Sequence, residues 1–206
     1  MVVEAARETA GVTTRLIVTY VRERHGDRGV QRLLELAGEA RPTVVLEDEG
    51  TWSTYAEKIS LFEAAAEVTG NPQVARRMGE SLLDLQLVGT LRLAVAALGS
   101  PQQVLRSIAR ANGKFTTSAT MRCELAERGR GMVTYQLHPE HTPSYHDCQY
   151  TQGLLTQATV LFGLPAATIH HFPHPGTNRF AGICLNPHFF SSSFPPPTPP
   201  HPRRHP

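Results

Sequence analysis

The first part of the chain carries apolar residues at helical spacing. Residues 12–25 place four apolar side chains on one helical face and charged side chains elsewhere. Gly26 ends this predicted helix, and a second short helix fits residues 28–37. The pattern therefore predicts two helices that meet at Gly26. The four apolar positions of the first helix are Leu16, Ile17, Tyr20 and Val21.

Helix starts are marked twice by a hydroxyl residue followed three positions later by Glu or Gln. Thr54 with Glu57 predicts a helix that runs to about Thr69. Ser100 with Gln103 predicts another, which closes at Gly113. Between them, the sequence predicts a helix from Asn71 to about Leu85 and an apolar helix over 88–98.

The apolar period then changes from helical to alternating. Residues 115–125 alternate between apolar and polar side chains, and Val133 to Leu137 do so again after a glycine-containing turn. This pattern predicts an antiparallel hairpin. A helix from Ser144 to about Phe162 and a strand over 167–172 follow.

Helices followed by a hairpin, a helix and a strand are typical of an α+β fold. We therefore expect an N-terminal helical layer packed on an antiparallel sheet. A doubly wound nucleotide-binding fold is excluded, because strands and helices do not alternate.

The C-terminal part differs sharply in composition from the rest. All 18 acidic residues lie at or before Asp147, and eight of the 16 prolines lie between Pro187 and Pro206. The sequence predicts a flexible start over 1–10, one domain over 11–172, and a disordered Pro/His/Ser-rich tail over 173–206. The chain holds two lysines against 18 arginines, a bias typical of a GC-rich genome. A tail translated out of frame and a genuine flexible tail are both compatible with this composition.

Composition narrows the class of protein. The chain has 206 residues, a formal net charge of +2 and three cysteines, too few for a disulfide framework. Its charge does not indicate nucleic-acid binding, and no apolar run approaches the length of a membrane span. The N-terminus does not resemble a secretory signal. We expect a cytoplasmic protein without a nucleic-acid or membrane partner.

Few residues suggest chemistry, and each has a structural alternative. The run His146-Asp147-Cys148 suggests a thiolate nucleophile, or simply the first turn of a helix. Cys148 and His171, with neighbouring histidines and Cys184, suggest a zinc site, or ordinary strand and core residues. Trp52 and Tyr55 suggest the wall of a ligand pocket, or a staple that holds a helix to the core.

Several short motifs, in their order along the chain, resemble a known group of sensor domains. They are Gly29 to Gly38, the Thr51-Trp52-Ser53-x-Tyr55 run, Gly99-Ser100-Pro101, Ala111 to Phe115, and Asp147-Cys148-x-Tyr150-x-x-Gly153 with Leu161 to Pro165. Together they resemble the actinobacterial heme–nitric-oxide-binding-like and 4-vinyl-reductase-like sensor domains, over roughly residues 11–172.

The resemblance implies a ligand-sensing input domain without catalytic activity of its own. Such domains commonly precede an output module, for example a GGDEF diguanylate cyclase. Some relatives bind zinc, and Cys148 matches the first position of that site. Heme-binding relatives use a helical axial histidine, and His25, at a helix end beside arginine and glycine, does not resemble it. The sequence therefore leaves zinc open and argues against heme.

These observations predict a small-molecule sensor of bacterial signal transduction, truncated from a longer diguanylate-cyclase-type chain. The ligand, small and apolar or aromatic, is expected between the helical layer and the apolar face of the sheet. A homodimer or a fused or bound output domain is the expected partner. A stand-alone dimerisation module and a small Cys/His enzyme are the alternatives. The predicted pocket residues are Trp52, Tyr55, Phe115, Met121 and Tyr135.

Overall fold

The computed structural model describes most of the chain between residues 7 and 183. Described are residues 7–81, 103, 106–107, 110, 112–125, 130–157, 159–160, 165–174 and 177–183, with the backbone alone for 125, 130, 172–174 and 177–183. The predicted helix over 88–98, the cap at Ser100, Cys184 and residues 184–206 of the predicted tail lie outside this set.

The N-terminal half is a layer of helices with a short two-stranded ribbon. Strand β1 (Thr9–Ala10) pairs antiparallel with β2 (Trp52–Ser53). The helices are α1 (Gly11–Ala37), α2 (Thr43–Leu46), α3 (Tyr55–Thr69) and α4 (Val74–Ser81). Gly26 has φ 65° and ψ −170° inside α1 and kinks it there, so the two predicted helices are confirmed as two arms of one bent helix.

These helices enclose the first apolar core. Leucine, isoleucine and phenylalanine side chains from α1, α2 and α3 meet Met78 of α4, and all are fully withdrawn from solvent. Among the described residues, the buried Thr14 of α1 donates its hydroxyl to the Leu46 carbonyl at 2.8 Å beside this core. Its largest buried members are Leu16, Ile17, Leu33, Leu46, Leu61, Phe62 and Met78.

The second half is an antiparallel sheet of four strands, with a helix packed on it. The strands are β3 (Ala119–Leu125), β4 (Arg130–Leu137), β5 (Thr168–His174) and β6 (Thr177–Ile183), in the order β3-β4-β6-β5. The predicted hairpin is confirmed, with Met121 opposite Tyr135. Helix α5 (Tyr145–Gln157) follows β4, and the predicted α+β class is confirmed.

Two details of the sheet differ from the sequence-based expectation. Phe115 does not belong to the strand, because a 3-10 turn over Asn112–Lys114 precedes it and its side chain is 40% exposed. The strand after α5 is not the last one, because β6 pairs with both β4 and β5. The sheet therefore extends beyond Phe172, where the predicted domain ended, to Ile183.

Helix α5 crosses α4 at very short distance. A Cβ atom added at Gly153 would lie 2.2 Å from the Arg76 carbonyl oxygen, and one at Gly79 would lie 2.4 Å from that of Tyr150. Only glycine fits such backbone contact. The crossing fixes α5 against the helical layer, while the other side of α5 packs on the sheet through Leu155.

Candidate functional site

A cluster of four polar side chains is buried where α3, α5 and the sheet meet. The Lys58 ammonium donates to Oδ1 of Asp147 at 2.7 Å, and the Tyr135 hydroxyl donates to Oδ2 of the same carboxylate at 2.9 Å. The Lys58 and Asp147 side chains are each 5% exposed. We call Tyr55, Lys58, Tyr135 and Asp147 the buried polar cluster.

The start of α3 places two members of this cluster on one helical face. Thr54 caps the helix by accepting from the Glu57 amide at 3.1 Å, and the Glu57 carboxylate accepts from the Thr54 amide at 2.7 Å. Tyr55 and Lys58 lie three residues apart, so they share a face. The Lys58 ammonium lies 4.5 Å from the centre of the Tyr55 ring, within range of a cation–π contact.

The N-terminal segment ties this helix start to the sheet side of the molecule. The Glu8 carboxylate accepts from the Tyr55 amide at 2.6 Å, and the Glu8 carbonyl accepts from the Thr117 amide at 3.1 Å. His141, in the loop after β4, stacks on the Tyr55 ring at 4.9 Å between centroids. The first residue of α3 is therefore contacted by the N-terminal segment at its backbone and by the loop after β4 at its ring.

The first turn of α5 supplies the carboxylate. The Ser144 hydroxyl accepts from the His146 amide at 3.2 Å at the start of the helix. Asp147 then lies where the helix dipole favours a negative charge. The glycine crossing with α4 fixes the position of this turn relative to the helical layer.

Strand β4 supplies the second hydroxyl. Val133, Tyr135 and Leu137 alternate with more exposed residues, so all three point into the sheet's apolar core. Burial raises the pKa of Tyr135 well above its ordinary value, and the Asp147 carboxylate raises it further. The hydroxyl therefore remains a donor at neutral pH.

The hydroxyl of Tyr55 is buried and makes no hydrogen bond of good geometry, although the Ser144 backbone and the Asp147 carboxylate are near enough to affect its pKa. Tyr55 is 4% exposed, and its ring packs within the second apolar core with Tyr135 and Cys148. Burial raises the pKa of Tyr55 above its ordinary value, and the neighbouring Asp147 carboxylate adds to this shift.

A buried ion pair of this kind specifies an arrangement more than it stabilises the fold. Removing two charges from water costs about as much as their attraction returns, whereas removing one partner leaves an uncompensated charge and costs about 3–5 kcal/mol. The Lys58–Asp147 pair therefore favours one packing of α3 against α5.

The structure brings some of the predicted pocket residues together and separates others. Tyr55 and Tyr135 are both in the buried polar cluster, and Met121 packs half-buried against the same apolar core. Trp52 lies apart in β2, and Phe115 is exposed in the turn before β3. Ligand binding by these residues stays a prediction.

The two predicted metal ligands also lie in different settings. Cys148 is buried in the second apolar core, and His171 is half-buried on β5. Within the described part of the chain, no group of three or more His, Cys, Asp or Glu side chains is placed to hold a metal ion.

The protonation of Cys148 is opposite to what a nucleophile requires. Burial, and next the Asp147 carboxylate, raise the pKa of the Cys148 thiol to about 11, so it is protonated at neutral pH. Burial lowers the pKa of His146. Neither shift supports the alternative of a Cys/His enzyme.

Sequence reasoning missed Lys58 and gave Asp147 only a helix-dipole role. The available signal was a lysine on the apolar face of α3, one turn after Tyr55 and one turn before Leu61 and Phe62. A charge on an apolar stripe indicates either a partner in the interior or an escape to solvent. The sequence does not say which, because the partner lies 89 residues away.

Comparisons with known proteins find the fold but no relative in sequence. No family model matches the chain, and no curated protein matches it. Among solved structures, an H-NOX protein from S. oneidensis in the Fe(II)NO ligation state is similar, with 16% identity, a TM-score of 0.65, and coverage of 86% of this chain and 99% of that one.

Two further solved structures show the same likeness. An oxygen-binding H-NOX domain related to soluble guanylate cyclases has 14% identity, a TM-score of 0.61, and coverage of 90% of this chain and 100% of that one. An unliganded Fe(II) H-NOX protein from K. algicida has 13% identity, a TM-score of 0.62, and coverage of 88% and 100%. The chain therefore has the H-NOX fold, while the 4-vinyl-reductase and diguanylate-cyclase links remain predictions.

These comparisons correct the sequence-based argument against heme. That argument used one residue, His25, and the structure places it in the exposed stretch around the kink of α1. The S. oneidensis structure is described in an Fe(II)NO ligation state. Another similar structure is described in a study of how the protein distorts the porphyrin and changes the heme redox potential. The expectation that heme is unlikely is therefore wrong. Among the described helices, none is long and apolar enough to cross a membrane.

Proposed function

We propose that this chain is a small-molecule-sensing domain that binds its ligand between the helical layer and the sheet, with heme as the candidate cofactor. The likeness to H-NOX structures over 86% of the chain carries this proposal. The half-buried apolar side chains of the sheet's inner face support it.

Among the described histidines, His146 has the features that best suit a heme-iron ligand. Heme iron in proteins is commonly held by a histidine nitrogen, which must be unprotonated. His146, in α5, has a buried Nδ1 atom with no hydrogen-bond partner among the described residues, and burial lowers its pKa. The imidazole is therefore neutral at physiological pH and has a free nitrogen.

If heme binds, His146 is the described residue that would hold it. Bound heme iron would supply reversible coordination of a diatomic gas. Glu63 of α3 acts on His146 in the opposite sense to burial, because its charge favours the protonated imidazole.

We also propose that such a domain acts as an input for a fused or bound signalling partner of bacterial origin. Ligand binding would change how α5 sits between the helical layer and the sheet, and a partner would detect that change. Such a shift is limited by the ligand's differential affinity for the two arrangements.

The test is a heme titration of the full chain, followed by absorbance in the Soret region. We expect saturable binding at equimolar heme and a shift of the ferrous spectrum on adding nitric oxide or carbon monoxide. His146→Ala should change the spectrum or abolish binding, and His25→Ala is the matched control, because that residue is exposed.

Two results would count against the proposal at different levels. Unsaturable heme binding, or a spectrum that His146→Ala leaves unchanged, removes this heme assignment. The heme-free chain is then tested for ligand-induced thermal shifts with small aromatic compounds and fatty acids. If none of these raises the melting temperature, the sensing function itself is wrong.

A further inference from the structure

Strand β3 forms one free edge of the four-stranded sheet. In the order β3-β4-β6-β5, it pairs with β4 on one side, and among the described residues no strand pairs with its other side. A free edge presents backbone groups that can pair with another strand. The opposite edge strand, β5, contains Pro173, which has no amide proton for such pairing, whereas β3 contains no proline. Strand β3 is therefore the edge better suited to accept a further strand.

The hydrogen bonds of the hairpin show which backbone groups of β3 point outward. The His138 amide donates to the Ser118 carbonyl at 2.9 Å, and in an antiparallel ladder every second pair repeats this bonding. The odd-numbered residues of β3 are therefore not bonded to β4, and their N–H and C=O groups point to the free edge. Ala119 agrees with this, because its carbonyl accepts from the Asn112 side chain at 2.6 Å. The next outward backbone groups belong to Met121, Cys123 and Leu125.

The exposed side chains of β3 carry opposite charges on the two sides of Cys123. Arg122 and Glu124 are both exposed, and they share one face of the sheet because they lie two residues apart. Cys123 and Met121 lie on the other face, half-buried against the second apolar core. An antiparallel copy of β3 carries the same two charges in reverse order. The charge pattern of this edge is therefore complementary to itself.

We propose that two copies of this chain associate through their β3 edges, antiparallel and with a two-fold axis at Cys123, so that their sheets join into one. Met121 then lies opposite Leu125 of the second copy, and the outward backbone groups of the two strands meet. Arg122 lies opposite Glu124 of the second copy, and the symmetry repeats this pair on the other side of the axis. Such non-hydrogen-bonded pairs place facing Cα atoms about 4.5 Å apart and bring side chains closest.

The charges and the backbone groups together favour this register over its neighbours. An axis at Arg122 would place two arginines opposite each other, and an axis at Glu124 would do the same with two carboxylates. Like charges directly opposite each other destabilise a strand pair. An axis between two residues would set outward backbone groups against groups that point to β4. Of these registers, the axis at Cys123 satisfies both the charges and the backbone.

This interface goes beyond the proposed sensing function and does not depend on heme. Arg122 and Glu124 lie on the face of the sheet that points away from the second apolar core. The oligomeric state is measured on the chain without any ligand. A failure of this interface and a failure of ligand binding are therefore observed separately.

The first test is sedimentation velocity of the full chain at rising protein concentration. We expect a monomer–dimer equilibrium. Arg122→Glu places carboxylates opposite each other in both symmetric pairs, so we expect the dissociation constant to rise at least about tenfold. Arg28→Glu is the matched control, because Arg28 is exposed on α1 and its replacement changes the net charge equally. The control should leave the dissociation constant unchanged.

The exchange of both charges gives the decisive result. Arg122→Glu combined with Glu124→Arg restores opposite signs across the axis, so the dissociation constant should return to near its wild-type value. A wild-type chain that stays monomeric at every concentration overturns the proposal. A dimer that Arg122→Glu does not weaken overturns it as well, and so does an exchanged variant that dimerises no better than Arg122→Glu alone.

A second measurement locates the axis by disulfide formation. The background is a chain without its own cysteines (Cys123→Ser, Cys148→Ala, Cys184→Ser) that still dimerises by sedimentation. One preparation adds Arg122→Cys and another adds Glu124→Cys, and the proposed register places these positions within disulfide range. The oxidised mixture should form a covalent dimer, whereas each preparation alone should remain largely uncrosslinked. Equal crosslinking in the mixture and in either preparation alone overturns this axis, and so does a mixture without crosslinks.

Discussion

The two apolar cores of this molecule are built differently. The core of the helical layer consists mainly of apolar side chains such as Leu16 and Phe62 at 0% exposure, and its buried Thr14 hydroxyl donates to the Leu46 carbonyl at 2.8 Å. The core beneath the sheet contains a buried ion pair and a hydroxyl without a hydrogen bond of good geometry, and its lining residues Met121, Cys123 and Ile169 are only partly buried.

This difference suggests that the two cores have different roles. Close apolar packing stabilises one arrangement strongly, because every shift opens a cavity. A core with buried charges and half-buried lining gains less from packing and is more easily rearranged. The helical layer therefore serves as the rigid frame, and the region under the sheet is where we expect binding and shape change.

The largest expected effect is a cavity in the helical core. Phe62→Ala removes a fully buried ring that packs on Tyr150 at 5.3 Å between centroids, and we expect a loss of about 3–5 kcal/mol in the free energy of unfolding. Met121→Ala beneath the sheet should cost distinctly less, because Met121 is only half-buried. Urea unfolding of both variants checks this, and equal losses would contradict the division between the cores.

Removing one charge from the polar core should come next. Lys58→Met leaves the Asp147 carboxylate buried without its counter-ion, and we expect a loss of about 3 kcal/mol. Adding Asp147→Asn should recover much of it, because the asparagine keeps an acceptor for Tyr135 and carries no charge. Thermal unfolding of the two variants measures the recovery, and a double variant less stable than Lys58→Met would contradict it.

A smaller effect is expected at the helix crossing that joins the two cores. Gly153→Ala places a Cβ 2.2 Å from the Arg76 carbonyl oxygen, so α5 must move away from α4. We expect a loss of about 1–2 kcal/mol, because the strain exceeds the gain in helix propensity. Gly113→Ala is the control, since nothing lies within 4 Å of its added Cβ, and equal stabilities would show that the crossing is loose.

The last effect is absent at neutral pH and appears only at alkaline pH in the polar core. The folded chain raises the pKa of Cys148 from an ordinary 9.0 to about 11, so over this range the unfolded chain loses the thiol proton first. Stability therefore falls as pH rises between these values. We expect the melting temperature of the wild type to fall more steeply with pH than that of Cys148→Ala near pH 10, and the two to change alike at pH 8. Curves that stay parallel from pH 8 to pH 10 would contradict the assignment.

Local signals in the sequence predict the helical frame well. The Thr54–Glu57 capping box and the glycine after Thr69 mark α3 correctly, because a helix end is decided by residues a few positions apart. The hairpin of β3 and β4 follows equally from its alternation. The prediction that Phe115 belongs to the strand was wrong, because the alternating pattern of apolar and polar residues extends upstream of β3 into a turn. In that turn the Asn112 carbonyl accepts from the Phe115 amide at 2.9 Å.

The polar core and the last strand were less predictable. The pairing of Lys58 with Asp147 depends on how α3 and α5 meet, and no local pattern encodes that. Strand β6 was hidden by the proline-rich composition that follows it. Strand β5 even contains Pro173, which is tolerated because β5 lies at the edge of the sheet.

The glycine crossing also has a consequence for finding distant relatives. Sequence comparison fails here because most core positions accept several apolar residues of similar size. A larger residue at Gly79 or Gly153 would instead place its side chain against the opposing backbone and force α4 and α5 apart. We therefore expect distant relatives that keep this close crossing to keep glycine at these two places, one on α4 and one on α5.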